Sequence, residues 1–535
     1  MNETPSSLPD AARPDRTATA LVLMSFAIIA AYTLMIDLKG VSTDEGIRLG
    51  IINGGRPYVL NQPPADPGWE AVIQTNWPFA YQPLYFLMQR TLMSIAQTQD
   101  VVFLRLVNVG FLWLCLQGLI TLSRAWRLLP RLFLLGVFGF NAYLLMHVLQ
   151  IREYIVGVAF YIWSTWFVLR LGDRQLGRAW ADVGWFTAYG LLLVAGFYTQ
   201  SWVVFPAIGQ FLYLVARRRP EPLRFYTHLA LSYLVVYAAT WPYLISHRQK
   251  VDVGRWGREG SDLLSQLADG FQFVLSGHLR GEHLAMDLLC WFWLLVLAAA
   301  IVALRTRASR TLAPDSRRDF LRQGSLMVVC MAVPLAVQVA YFLRYDNLSV
   351  WARYFIVHYF FLFWLLGLGV RHLHELSLAS GLASRARRTL RGAVGLIVAV
   401  MAGSAVYQVA SYYHDPFLDT GLSRESNWRI LARELSLVLE PDDVVLTQEF
   451  INRSTLSFTR PLAHRIIILA ELEEADLGAA NRLIFLEYVT QIPQRAELAA
   501  RASRLGFSHQ QVLPVHASDG QAARHEWRFV VFTRQ

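Results

Sequence analysis

Apolar runs long enough to cross a bilayer recur along this chain, and they fix its class before any single residue does. A hydrocarbon core about 30 Å thick takes roughly 20 helical residues at about 1.5 Å rise each. The run from Ala18 to Leu38 meets that length with one charge, Asp37, near its far end. Further runs begin near Phe103, Leu132, Glu153, Asp182, Ser201, Phe225, Ala285, Gln323, Tyr354 and Gly392, about eleven in all. With 55% hydrophobic residues over 535 positions and a mean hydropathy of +0.34, the chain is expected to be a polytopic α-helical membrane protein. A soluble class is excluded.

The net charge of +10 would suit a nucleic-acid binder if the arginines formed one patch. They fall instead in every second connection: Arg13 and Arg16; Arg124, Arg127 and Arg131; Arg170, Arg174 and Arg178; Arg217, Arg218, Arg219 and Arg224. The series continues from Arg305 to Arg322 and from Arg371 to Arg391. By the positive-inside rule these loops are cytoplasmic, which puts the N-terminus inside, the C-terminus outside, and leaves no nucleic-acid partner to expect. The first run is too long for a secretory signal and no small-x-small cleavage site follows it, so it reads as an uncleaved anchor. Cys115, Cys290 and Cys330 all lie in apolar runs, where a thiol behaves as a small hydrophobe and implies neither a disulfide framework nor a metal site.

These expectations divide the chain into a cytoplasmic tail (1–17), a transmembrane domain (18–410) with external loops 39–102 and 246–283, and an extracytoplasmic α/β domain (411–535). The first loop is expected to hold a short amphipathic helix from Asp44 to Asn53, a Gly54-Gly55 stop, and an interfacial helix from Pro83 to about Ala96. The second, with balanced charge, reads as a solvated loop. In the last domain strand-like runs occur at Asp443–Thr447, Arg465–Leu469, Leu483–Val489, Gln511–Val515 and Trp527–Thr533, with helical patterns at Trp428–Val438 and Pro493–Leu505. It carries no phosphate-binding or metal-binding motif and reads as a lid or docking module.

Chemistry points first to Asp44 and Glu45, just beyond the first apolar run. A helix cap explains them locally, since Ser42-x-x-Glu45 is a capping box and Asp44 can pair with Arg48 one turn on. Their place at the outer mouth of a lipid-embedded bundle favours work instead: a partly desolvated carboxylate there can act as a general base. Arg152 and Arg353 follow, both at outer ends of spans. The helical neighbours of each are apolar, so each needs a partner on another element or an anion from a ligand, with Asp346, two turns back, as the alternative structural partner of Arg353.

Seven elements in order resemble a family. Thr43-Asp44-Glu45-Gly46 is followed by the turn Gly54-Gly55-Arg56-Pro57-Tyr58, the interfacial segment Gln82-Pro83-Leu84-Tyr85-Phe86-Leu87, and Arg105-Leu106. Gln150-Ile151-Arg152-Glu153-Tyr154, Tyr198-Thr199-Gln200 and Arg353-Tyr354 complete the series. Together they resemble the C-type polytopic glycosyltransferases (GT-C fold), in particular the bacterial group related to protein O-mannosyltransferases and the lipid A aminoarabinose transferase. Gln82 stands where that group has proline and Gln200 where it has histidine, departures that bear on substrate subclass.

The resemblance implies a bacterial inner-membrane enzyme that moves one sugar, with inversion, from a polyprenyl-phosphate-linked donor to a hydroxyl of a glycan, lipid or protein acceptor at the outer face. It implies Asp44 as base with Glu45 orienting the acceptor or holding the loop, and substrate contacts from Arg152, Tyr154, Arg353, Tyr354, Tyr58, Tyr85 and Gln200. No cofactor is obligatory on that reading, although a divalent cation at Asp44-Glu45 is compatible with it. Two rivals from other classes are a transporter or flippase of a lipid-linked sugar, which internal repeats would favour, and a non-catalytic envelope-assembly subunit. No repeat is visible.

Overall fold

The computed structural model describes residues 16–37, 43–53, 68–76, 82–98, 100–173, 179–217, 222–250, 262–278, 284–306, 314–345, 352–414, 428–447, 464–473, 477–478, 480–488, 495–514 and 527–534, with 312, 456 and 475 singly. The chain enters through α1 (Arg16–Leu34), α2 (Thr43–Ile52), α3 (Gly68–Asn76) and α4 (Pro83–Ala96). It continues through α5 (Val101–Leu122), α6 (Leu128–Gly139), α7 (Ala142–Val148), α8 (Tyr154–Asp173) and α9 (Ala179–Thr199). A 3-10 turn, Ser201–Val203, leads to α10 (Val204–Val215), α11 (Pro222–Lys250), α12 (Leu263–Ser276), α13 (Leu284–Arg305) and α14 (Pro314–Tyr345). A second 3-10 turn, Ala352–Phe355, opens α15 (Ile356–Leu378), and α16 (Ser384–His414) closes the helical part.

Each of the eleven apolar runs is helical. Among the described residues seven helices, α1, α5, α8, α13, α14, α15 and α16, are long and apolar enough to cross a membrane, or eight spans if the bent pair α6–α7 counts as one. α15 is the axis of the bundle: 94% of its most apolar window is buried, against 22% for α1. It packs against α6, α8, α13, α14 and α16, where Tyr359 donates to the Phe138 carbonyl at 2.6 Å and Trp364 meets Trp126 at 4.8 Å between ring centroids. Cys115, Cys290 and Cys330 are free thiols buried in helices.

Local chemistry sets the breaks. Asp100 caps α5 by accepting the Val102 N–H at 3.0 Å, and Asn141 caps α7 by accepting from Tyr143 and Leu144 at 2.9 and 3.3 Å. That second cap sits in the 58° bend between α6 and α7. The segment 246–283, expected as a solvated loop, holds the end of α11 and the whole of α12. Asn141 Nδ2 donates to the Val274 and Leu275 carbonyls at the end of α12, at 3.2 and 3.0 Å. Gly277 then ends α12 with φ +76, and a Cβ there would fall 2.5 Å from that of Ala142. Phe273, Val274 and Leu275 are buried. α12 replaces the expected solvated loop over 262–278, and residues 251–261 and 279–283 lie outside the described residues.

The C-terminal part is a five-stranded mixed sheet of β1 (Val444–Thr447), β2 (Arg465–Ile468), β3 (Arg482–Tyr488), β4 (Phe507–Pro514) and β5 (Trp527–Arg534). Its order is β2-β1-β3-β5-β4, parallel from β2 to β3 and antiparallel thereafter. Side chains alternate across it as the period of a strand requires. Ile484, Leu486, Phe529 and Val531 form one core with Leu431 and Leu435 of α17 (Trp428–Val438). Leu483, Phe485, Val530 and Phe532 form the other with Leu498 and Ala502 of α18 (Arg495–Arg504).

Candidate active site

α2 carries Glu45 and Arg48 three positions apart, hence on one side of the helix. Each reaches a different element. Glu45 Oε1 accepts from Arg105 Nε at 3.2 Å and Nη2 at 3.0 Å, and Oε2 accepts from Nη2 at 3.2 Å. The same Oε1 takes the Ile151 backbone N–H at 2.9 Å, while Arg105 Nη1 donates to the Ile36 carbonyl at 3.0 Å, just past α1. Arg48 makes a fork with Glu153, with Nε and Nη2 at 3.1 and 3.2 Å from its two oxygens. All four charged groups are buried, so each pair holds only because the partner's hydrogen bonds compensate lost water. α2 is thereby fixed to α5 and to the turn before α8.

That turn, 150–153, is gripped from a third side. Asn108 Nδ2 donates to the carbonyls of Gln150 at 2.5 Å and Arg152 at 3.3 Å, and Asn108 Oδ1 accepts from Tyr85 at 3.2 Å. Gln89 Nε2 completes the row by donating to the Tyr85 hydroxyl at 3.0 Å. Burial pushes the Tyr85 phenol up, so it works as a neutral hydrogen-bond partner. Burial alone would also raise the Glu153 carboxyl. The Arg48 guanidinium outweighs it by charge and hydrogen bonds, with Arg152 adding to the effect, and holds the group below the usual carboxylate range.

Arg152 is buried in this turn, its guanidinium carbon 5.7 Å from the centre of the Tyr154 ring. From Tyr154 the first turns of α8 lead to Gly157 and Tyr161. Gln200 packs there: its Oε1 accepts from Tyr161 at 3.2 Å, and a Cβ on Gly157 would stand 1.7 Å from that oxygen. Two residues on, Trp202 stacks on Tyr354 with centroids 5.4 Å apart and 17° between planes. Glu45, Tyr85, Arg152 and Tyr154 are thus linked around the 150–153 turn, Gln200 packs further along α8, and Tyr354 stacks on Trp202. Asp44 is the second residue of α2 and Arg353 belongs to the 3-10 turn Ala352–Phe355. Their side chains, and all of Tyr58, lie outside the described residues, as does the Gly54–Tyr58 turn.

The arginine ion pair described for Arg48 is with Glu153, an element that local spacing to Asp44 does not reveal. Asn108 is the residue missed altogether. Its signal was available: Arg105 and Asn108 stand three apart in an otherwise apolar helix, and polar groups at that depth mark a shared face with partners. Among the described residues no three His, Cys, Asp or Glu side chains converge as a metal site would need.

The multi-helix bundle with its candidate membrane spans, α2 anchored on α5, and the appended α/β sheet have the GT-C fold, as solved structures of that fold show. Among solved structures the chain is similar to ArnT from Cupriavidus metallidurans in the apo state, with a TM-score of 0.54 and 14% identity over 96% of this chain and 98% of that one. It is similar also to ArnT from the same organism bound to undecaprenyl phosphate, with a TM-score of 0.51, 14% identity and the same coverage. The arabinofuranosyltransferase AftD from Mycobacteria aligns at a TM-score of 0.48 and 11% identity over 96% of this chain and 40% of that one. No protein-family model and no curated protein matches the sequence. At such identities the likeness establishes the fold.

Proposed function

We propose that this chain is a glycosyltransferase of the outer face of a bacterial inner membrane, moving one sugar from a polyprenyl-phosphate-linked donor to an acceptor hydroxyl. The observation that carries the proposal is the double anchoring of α2. Two buried ion pairs, Glu45–Arg105 and Arg48–Glu153, hold a helix whose first turn contains Asp44. Rigid presentation of a carboxylate is what a general base needs when its two substrates arrive from different phases. A polyprenyl carrier is the donor of choice because a solved structure of the same fold was obtained with undecaprenyl phosphate bound.

In this mechanism the acceptor oxygen attacks the anomeric carbon from the face opposite the phosphate, and configuration inverts. Asp44 takes the hydroxyl proton. The bond from the anomeric carbon to the phosphate oxygen breaks, its electron pair leaving on the polyprenyl phosphate. Arg152 and Arg353 neutralise that phosphate through their planar forks, which match its oxygens. Tyr154, Tyr354, Gln200 and Tyr58 are assigned further contacts with the donor or the acceptor. Glu45 and Tyr85 are positioning residues, since one is spent on Arg105 and Ile151 and the other on Asn108 and Gln89. No obligatory cofactor enters the scheme, and a divalent cation at Asp44 would be compatible with it.

The domain limits 1–17, 18–410 and 411–535, the cytoplasmic N-terminus and the extracytoplasmic sheet domain belong to the same proposal. Mass spectrometry of envelope glycolipids, glycans and glycoproteins from a deletion strain tests it. Loss of a single-sugar mass increment from one class, with the lipid-linked donor retained or raised, is expected. Unchanged glycans in every class would overturn it, and simultaneous loss of several downstream glycans would point to transport.

A further inference from the structure

A cleft of about 500 Å³ opens between α8 and α9, lined by Trp166, Arg170, Asp173 and Trp185. It lies at the end of the bundle remote from Glu45. α8 sets the separation, with 20 residues running from Tyr154, beside Glu153, to Asp173, or about 30 Å. No group placed in sugar transfer reaches this end.

The charge there is unbalanced. Asp173 is held by Arg322 of α14, Nη1 to Oδ2 at 2.5 Å, and by Arg217, just past α10, at 3.9 Å. Arg322 also donates to the Leu169 carbonyl at 2.6 Å, which ties it to the last turns of α8. Arg170 adds a third guanidinium, with its carbon 5.6 Å from the centre of the Trp166 ring. Three cations thus stand around one carboxylate. The walls are indoles: Trp166 and Trp185 have centroids 5.6 Å apart with planes at 35°. The Trp166 Nε1 donor is buried and has no acceptor among the described residues.

Excess positive charge, a guanidinium fork and paired indoles between membrane helices match a phosphate at the water boundary with ester groups beneath it. We propose that this cleft binds the phosphodiester headgroup of an anionic glycerophospholipid. The phosphate accepts from Arg170 and from the Trp166 N–H, and Trp166 and Trp185 cover the glycerol region. Asp173, already engaged by Arg322 and Arg217, fixes the floor and leaves the net positive charge that a zwitterionic lipid would not need.

The test uses the purified full-length chain in neutral detergent, titrated with short-chain phosphatidylglycerol and separately with phosphatidylcholine. Tryptophan fluorescence and native mass spectrometry read binding. Saturable binding of phosphatidylglycerol is expected, at least about tenfold tighter than of phosphatidylcholine, with about a tenfold loss in Arg170→Gln. Trp185→Ala, which leaves the ion pairs intact, is expected to lose several-fold and guards against misfolding of the first variant. Equal affinity for the two lipids, wild-type affinity in both variants, or full displacement of the lipid by equimolar inorganic phosphate would each overturn the proposal.

Discussion

Glu45 and Arg105, 60 positions apart, share three hydrogen bonds of 3.0 to 3.2 Å in a place neither exposes to solvent. The acidic residue next to the proposed base is therefore an anchor. Removing one partner strands a buried charge, a loss of about 3–5 kcal/mol. Glu45→Ala should lower the melting temperature in detergent sharply, and Glu45→Ala with Arg105→Met should recover part of it. Wild-type melting in Glu45→Ala would mean that α2 is held by something else.

The Arg48–Glu153 pair ties stability to pH. Glu153 has a folded pKa below its unfolded value, so its contribution is complete above the ordinary glutamate range, about 4.3, and is lost as pH falls through the lower folded value. Melting temperature should be insensitive to this group from neutral pH down to about 5 and fall below that. Arg48→Met removes the largest effect that lowers the carboxyl and leaves burial to raise it, so the loss of stability that this group causes as pH falls should shrink or reverse in the variant. A superimposable pH profile for the two proteins would contradict the pairing.

Gly157 makes room for Gln200. A methyl group there would stand 1.7 Å from Gln200 Oε1, so Gly157→Ala must displace that side chain from Tyr161, at a cost of about 1–3 kcal/mol. Gly157→Ala with Gln200→Ala should melt closer to the wild type than Gly157→Ala alone. Additive losses in the double variant would show that the two residues do not share the space.

Much of the fold was legible because membrane spans and buried strands announce themselves by runs of apolar residues. All eleven runs are helical, and the five strands overlap the five strand-like runs. β4 begins at Phe507 rather than near Gln511, because an edge strand paired only with β5 needs no apolar run through Ser508, His509 and Gln510. α12 was hidden by the charge of its neighbours, although Leu263, Leu267, Gly270 and Val274 follow a helical stripe. The acidic pair itself was plain in the sequence. Its partner Arg105 was visible only as a motif, and the Arg48–Glu153 pair joins residues 105 positions apart, a separation that no local pattern encodes. Asn108 escaped for the same reason, since its work is to hold a turn more than 40 positions away.

Complementation of the deletion strain with Asp44→Asn is the most direct measurement. The variant keeps the size of the side chain and removes the base, and Glu45, Arg105, Arg48 and Glu153 are untouched. With membrane levels and melting temperature equal to the wild type, the wild-type gene should restore the single-sugar mass increment and Asp44→Asn should restore none of it. Full restoration by Asp44→Asn would contradict sugar transfer with Asp44 as its base.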